Sequence, residues 1–368
     1  MDQLNEWYQK SDDLIYDQKD YEKALIYLEQ YLQVKKDNYL VWYNHGYSLY
    51  NLGKHEEAII SYEKALEINP NDNNTWYNRG NSLRNLGKYE EAITSYEKAL
   101  AINPDYHLAW YNHGYSLYSL GRNEEAIISY KKAIAIKPNY NEALNNYGIS
   151  VSHLGRDEEA IISYEKALAI NPNMYQTWSN RGISLNNLGK EEEAIISYDK
   201  ALIINPDHNH AWYNRGNSLS NLGRYEESIT SYDKALAINT NQYEAWYNHG
   251  ISLKNLGRYE EAITSYDKAL AINPNQYEAW YNRGVALDYL GKYEEAIISY
   301  DKALQFESNN ANAFYNKACC YSLKNQILLA IENLKKAINL DSQYKEIAKK
   351  ESDFDSIRND SIFQELLS

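Results

Sequence analysis

Tryptophan returns through this chain at a fixed step of 34 residues: Trp42, Trp76, Trp110, Trp178, Trp212, Trp246 and Trp280. Leu144 fills the missing rung, and Phe314 continues the ladder. Self-similarity at such a period excludes a closed globular core, because each unit can bury its apolar face only against its neighbours. The stretch WYNRGNSLRNLGKYEEAITSYEKALAIN, residues 76–103, states the unit most clearly.

Punctuation divides the unit. All 16 glycines occupy two slots, one four residues after the Trp position (Gly46, Gly80, Gly114 and onward to Gly284) and one eleven after it (Gly53, Gly87, Gly121 and onward to Gly291). All six prolines share a third slot, which Thr240 and Ser308 fill where Pro is absent. The second Gly is expected to close a first helix, helix A, in a left-handed conformation that costs Gly no Cβ clash. Pro ends a second helix, helix B, because it cannot donate the next hydrogen bond. The first Gly lies inside helix A, where it costs about 1 kcal/mol against Ala. Close approach of helix B is the packing reason expected for it.

Helix B carries an apolar face, Ala92, Ile93, Tyr96, Ala99 and Leu100 in the unit from Trp76. Glu90 and Glu91 lie in its first turn, where negative charge suits the helix dipole. Their recurrence assigns them to a solvated helix start and not to paired catalytic carboxylates. In helix A, Trp76, Gly80 and Leu83 form one stripe, expected to be core, with Arg79 at its edge. Asn74, Asn78, Asn81 and Asn85 point the other way, flanked by Tyr77 and Arg84.

The expected architecture is all-α, a right-handed solenoid superhelix of stacked antiparallel helix pairs. Nine units start at residues 42, 76, 110, 144, 178, 212, 246, 280 and 314. Residues 1–41 read as a degenerate first unit that keeps the helix B face but lacks both glycines. Residues 348–368 read as a segment covering the last exposed face.

Composition narrows the function. A net charge of −14 argues against nucleic acid, which is held mainly through Lys and Arg on phosphate, and against an anionic membrane surface. No run approaches the roughly 20 apolar residues of a spanning helix. No signal peptide is visible at the N-terminus, and a cytoplasmic protein is expected. Cys319 and Cys320, the only cysteines, give no disulfide framework and read as small core fillers. No cofactor or metal is expected: every glycine belongs to the repeat, so no phosphate-cradling loop remains, and His208 and His210 sit in an inter-helix turn.

The pattern W-x3-G-x2-L-x8-A-x3-Y-x2-A-x4-P, carried here by Trp76, Gly80, Leu83, Ala92, Tyr96, Ala99 and Pro104, closely resembles the tetratricopeptide repeat. The resemblance implies that helices A line a concave side and that the chain is a non-catalytic scaffold binding an extended peptide or partner helix there. The family's carboxylate clamp is incomplete, since Tyr43, Tyr77 and Tyr111 stand where Lys is needed. Where many members carry Leu three residues after the Trp, this chain has Arg79, Arg181, Arg215 and Arg283, or His45, His113 and His249. An ion pair or stacking contact between repeats is expected of them.

Two rows make the candidate peptide site. Asn44, Asn78, Asn112, Asn146, Asn180, Asn214, Asn248 and Asn282 follow each Trp position by two, and Asn316 continues the row. An amide offers both a donor and an acceptor and can pair with any peptide backbone; the alternative is that it bridges neighbouring helices. The row is similar to the asparagine ladder of the O-GlcNAc transferase superhelix, without a stretch for that family's catalytic domain. Beside it run Tyr43, Tyr77, Tyr111, Tyr213, Tyr247, Tyr281 and Tyr315, rings that give contact area at low entropy cost. Asn145 and Ser179 interrupt the tyrosines, and Leu144, Tyr147, Ser152 and His153 depart from the pattern nearby. The expected partner is a protein or peptide; self-association through the near-identical repeats is the alternative.

Overall fold

A computed structural model describes residues 2–368, and among them every regular element is helical. Two compact units divide the chain, Met1–Leu188 and Gly189–Ser368. In the first, helices pair as Tyr39–Asn51 with His55–Ile68, Asn73–Asn85 with Tyr89–Ile102, His107–Ser119 with Asn123–Ile136, and Asn141–Ser152 with Asp157–Ile170. Asp2–Asp12, widening into Asp13–Gln18, precedes them with Tyr21–Val34, and Tyr175–Asn187 closes the unit. The second opens with Glu191–Ile204. Its pairs are Asn209–Asn221 with Tyr225–Ile238, Tyr243–Asn255 with Tyr259–Ile272, Tyr277–Tyr289 with Tyr293–Phe306, and Ala311–Leu323 with Ile327–Leu340. Each unit is an α-solenoid of stacked hairpins.

The two glycine slots separate as their spacing implies. Gly87 has φ +74° and closes helix A, the amide of Lys88 reaching back to the carbonyl of Leu83 at 2.9 Å. Lys19 and Asn325 occupy the same register in the first and last hairpins and adopt φ 57° and 58°. At Gly80 the reason is contact: an added Cβ would stand 2.6 Å from Cε1 of Tyr96.

That tyrosine is the centre of the hairpin. Tyr62, Tyr96, Tyr130, Tyr164, Tyr198, Tyr232, Tyr266 and Tyr300 are all among the largest fully buried side chains. Ala92 and Ala99 are also fully buried, and Leu83 is 1% exposed. The tryptophans, expected in the core, are instead half-buried at its rim. Each indole N–H donates to the carbonyl six residues earlier, as Trp76 does to Pro70 and Trp212 to Pro206, at 2.9 and 2.8 Å. The ring thus clamps the turn between hairpins, which keeps its polar edge at the surface. Asn103 tightens the same turn by accepting from the amide of Asp105 at 3.2 Å.

At the C-terminus, Phe354, Ile357 and Phe363 are buried with Tyr315, Ala318 and Leu334 in one cluster. Residues 352–357 pack on helix Ala311–Leu323, and Ser356 Oγ donates to the carbonyl of Ser322.

Candidate peptide-binding groove

Helices A of successive hairpins touch one another directly within each unit. They therefore form a continuous wall, and the Asn and Tyr rows lie along it at one position per helix.

The two rows bond to each other. Each Asn amide N–H donates to the hydroxyl of the tyrosine one hairpin back: Asn78 to Tyr43, Asn112 to Tyr77 and Asn146 to Tyr111, all at 3.0 Å. The second unit repeats this with Asn248 to Tyr213 at 3.3 Å, Asn282 to Tyr247 at 3.1 Å and Asn316 to Tyr281 at 3.2 Å. Asn44 donates instead to Asp12, and Asn180 to Asn145 at the interrupted rung. Asn214 is half-buried at the same register. Bridging between helices is thus a real part of what these amides do, and it fixes which way each one points.

The carbonyl end differs along the row. Asn44 accepts from Tyr16, Asn112 from Arg84 and Asn282 from Lys254, all from one register of the preceding helix A. At Asn78 and Asn248 that register holds Tyr50 and Ser220, and no described residue donates to the amide oxygen. Asn248 lines a cleft of about 400 Å³ with Asn217, Ser220, Asn221 and Ile251. Asn180 lines one of about 90 Å³ with Ser152 and Ile183, and Asn316 one of about 390 Å³ with Asp288, Tyr289 and Asp353. Burial pushes the Asp288 carboxyl up to about 6, opposed by the hydrogen bond from the Cys320 thiol.

Asn81, read from the sequence as part of the open stripe, is 7% exposed. Its oxygen accepts from the buried hydroxyl of Tyr96 and from Asn112, both at 2.9 Å. Asn217 does the same for Tyr232 and Asn248. Sequence reasoning missed this because it needs the neighbouring helix B in place.

The basic slot behaves as an inter-repeat tie. Arg79 meets Glu63 of the preceding helix B at 2.7 Å and Ser95 of its own helix B at 2.7 Å. Arg181 pairs with Glu165, Arg215 with Asp199, Arg283 with Asp267 and Lys317 with Asp301 in the same register. With half-exposed carboxylates each pair contributes at most about 1 kcal/mol. His45, His113 and His249 instead place Nδ1 on Ser61, Ser129 and Ser265, each at 2.9 Å. Burial lowers all three imidazoles, His45 to about 4, so they are neutral at pH 7.

Cys319 and Cys320 are 4% and 0% exposed, and burial raises both thiols. Among the described residues no group of three metal-ligating side chains forms, and no helix is long and apolar enough to cross a membrane.

Comparison with known proteins places this geometry. Models of the tetratricopeptide repeat match residues 39–72, 74–106 and 175–208, 114–151, 141–174, 207–272, 247–312 and 311–344. No curated protein matches the chain. Among solved structures, the C-terminal part of a TPR repeat-containing protein from Cytophaga hutchinsonii is 20% identical, covers 65% of this chain and 98% of its own, and superposes with a TM-score of 0.57. A tetratricopeptide repeat protein from Parabacteroides merdae is 24% identical over 71% of this chain and 97% of its own, with a TM-score of 0.48. YrrB, described as a TPR protein with an unusual peptide-binding site, is 28% identical over 51% of this chain and 98% of its own, with a TM-score of 0.48. With repeat models matching from residue 39 to residue 344 except for 73 and 107–113, the chain belongs to the tetratricopeptide-repeat family.

Proposed function

We propose that this protein is an interaction scaffold whose helix A wall holds an extended segment of a partner protein. The observation that carries the reading is the orientation of the Asn row. With the amide N–H spent on a neighbouring tyrosine, the carbonyl oxygens of Asn78 in the first unit and of Asn248 in the second stay unpaired by the described residues, while those of Asn44, Asn112 and Asn282 accept from the preceding helix A. Such a row recognises backbone N–H groups and so tolerates many side chains. The tyrosines beside it supply ring surface for the side chains.

The test is binding to an array of extended peptides by wild type, Asn78→Ala with Asn248→Ala, and Tyr213→Phe. Tyr213→Phe removes the same inter-hairpin hydrogen bond as Asn248→Ala but keeps the amide. Loss of capture in the double Asn variant alone, with equal melting shifts, supports the groove. Capture unchanged in both variants rejects it.

A second reading, self-association, rests on a different surface. Ile60, Ile128, Ile162, Ile196 and Ile298 share one helix B register and are each more than half exposed. Sedimentation velocity at rising concentration tests it, with Ile→Thr at these sites as the control. Thr94, Thr230 and Thr264 already occupy that register.

A further inference from the structure

The last rung of the Asn row exchanges a donor for an acid. At Asn112 and Asn282 the helix A residue 28 positions earlier is a cation that donates to the amide oxygen, Arg84 Nη1 at 2.8 Å and Lys254 Nζ at 2.7 Å. At Asn316 the same register holds Asp288. An ionised carboxylate has no proton to give, and no described residue donates to the Asn316 oxygen.

The surroundings add acceptors and no cation. Val285, Asp288 and Tyr289 of helix Tyr277–Tyr289 line the cleft of about 390 Å³ with Asn316 and Leu323 of helix Ala311–Leu323 and with Asp353 of the C-terminal segment. No basic side chain lines it, and neither carboxylate is in an ion pair among the described residues. Asp288 accepts only from the Cys320 thiol, at 3.4 Å. Burial raises both carboxyls, and the Asp353 charge adds to the rise at Asp288. Beneath them, Tyr300 stands at the register of Tyr232, which lines the equivalent cleft beside Asn248 and donates to Asn217. Val285 replaces that Asn, so the hydroxyl of Tyr300, a side chain 0% exposed, has no partner. It lies beside Asp288, whose charge adds to burial in raising it. Two carboxylates, an amide oxygen and an orphan hydroxyl thus meet where two other rungs hold a cation of their own.

We infer that this cleft receives an arginine side chain from the partner segment held along the Asn row. The guanidinium takes the place that Arg84 and Lys254 fill at their own rungs. Its planar fork of five N–H groups donates to the Asn316 oxygen and to the carboxylates of Asp288 and Asp353. Its flat face has the Tyr289 ring to lie on, itself fixed by stacking on Tyr259 at 4.8 Å. The inference rests on the groove for how the side chain is presented, and on the cleft alone for what is bound.

The first probe therefore needs no groove: N-acetyl-arginine methylamide, titrated into the full chain with methyl-labelled Val and Leu. Shifts are expected at Val285 and Leu323. The neutral isostere N-acetyl-citrulline methylamide should bind about tenfold more weakly, as should the arginine compound to Asp288→Asn with Asp353→Asn. Asn78→Ala with Asn248→Ala should leave its binding unchanged. Should the double Asp variant fail to fold, Asp288→Lys, which restores the charge that Lys254 carries at this register, should fill the place and abolish binding. In the peptide array, arginine peptides should be captured above their citrulline counterparts by wild type, and the double Asp variant should lose that preference while still capturing the citrulline peptides. Failure of the groove alone removes capture of every peptide and leaves the small-probe shifts intact. Absence of shifts at Val285 and Leu323 overturns the inference, as does equal binding of arginine and citrulline, the same shifts from magnesium chloride, or binding that survives the Asp288 variants.

Discussion

A Cβ on Gly80 would stand 2.6 Å from Cε1 of Tyr96, so the glycine exists for the ring. Both terminal hairpins show the converse. Where the Gly register holds Asp12 or Ala318, the Tyr register holds Leu28 or Leu334, each 0% exposed. Gly80→Ala should therefore cost about 1–3 kcal/mol in the native background through overpacking. In a Tyr96→Leu background the sign should reverse, with Ala gaining up to about 1 kcal/mol of helix propensity. A double-mutant cycle by urea unfolding measures this, and additive effects would contradict it.

Buried tyrosine hydroxyls are unequal. Tyr96 donates to Asn81, but Tyr62 and Tyr266 have no partner for their hydroxyls among the described residues, because Tyr47 and Ile251 occupy the Asn81 register. Tyr96→Phe should destabilise by about 1 kcal/mol. Tyr266→Phe, which removes an unpaired buried group, should be neutral or stabilising. Denaturant midpoints at equal m-values report the difference.

Acid should loosen the array through three imidazoles. Burial depresses His45 to about 4, below the ordinary 6.5, and lowers His113 and His249 in the same direction. The unfolded chain then binds more protons than the folded one between those values. Stability is present above about 6.5 and falls as pH drops toward 4. Replacing the three with Arg, the residue at this register in Arg79, should flatten that part of the melting profile.

Asp288 runs the other way. Its carboxyl is raised to about 6 from 3.8, so the folded state holds the extra proton and stability falls as pH rises through that window. Asp288→Asn should raise the melting temperature at pH 8 and leave it nearly unchanged at pH 3.5. An equal gain at both pH values would point to packing instead.

Much of this was legible because punctuation has few physical causes. The two glycine slots each admit one explanation, and the structure supplies it: the helix-interior glycines from Gly46 to Gly148 and from Gly216 to Gly284 lie against a tyrosine ring, and the second-slot glycines from Gly53 to Gly291 adopt positive φ. Depth was harder to read. Trp76 and Tyr96 recur with the same period, and periodicity gives a face without saying how far it is buried. The clue lay in Ala92 and Ala99, four before and three after Tyr96, small residues that let helices close on a ring. The Asn row was legible as a row and not as a bonded pair with the tyrosines. The partners lie 35 residues apart, and that contact exists only once two hairpins have stacked.

The ties between Arg79 and Glu63 and their equivalents give the chain a reading direction. At this register every base reaches backward, and an acid stands at the matching position of helix B only where the following hairpin has a base to offer. Lys131 precedes Tyr147, and Lys335 has no successor. Excising whole periods is therefore not a uniform operation. Removing residues 76–109 would bring His113 to Glu63 and splice compatible ends. Removing residues 144–177 would bring Arg181 to Lys131 and join like charges. Hairpins that look interchangeable by shape carry an order written in charge.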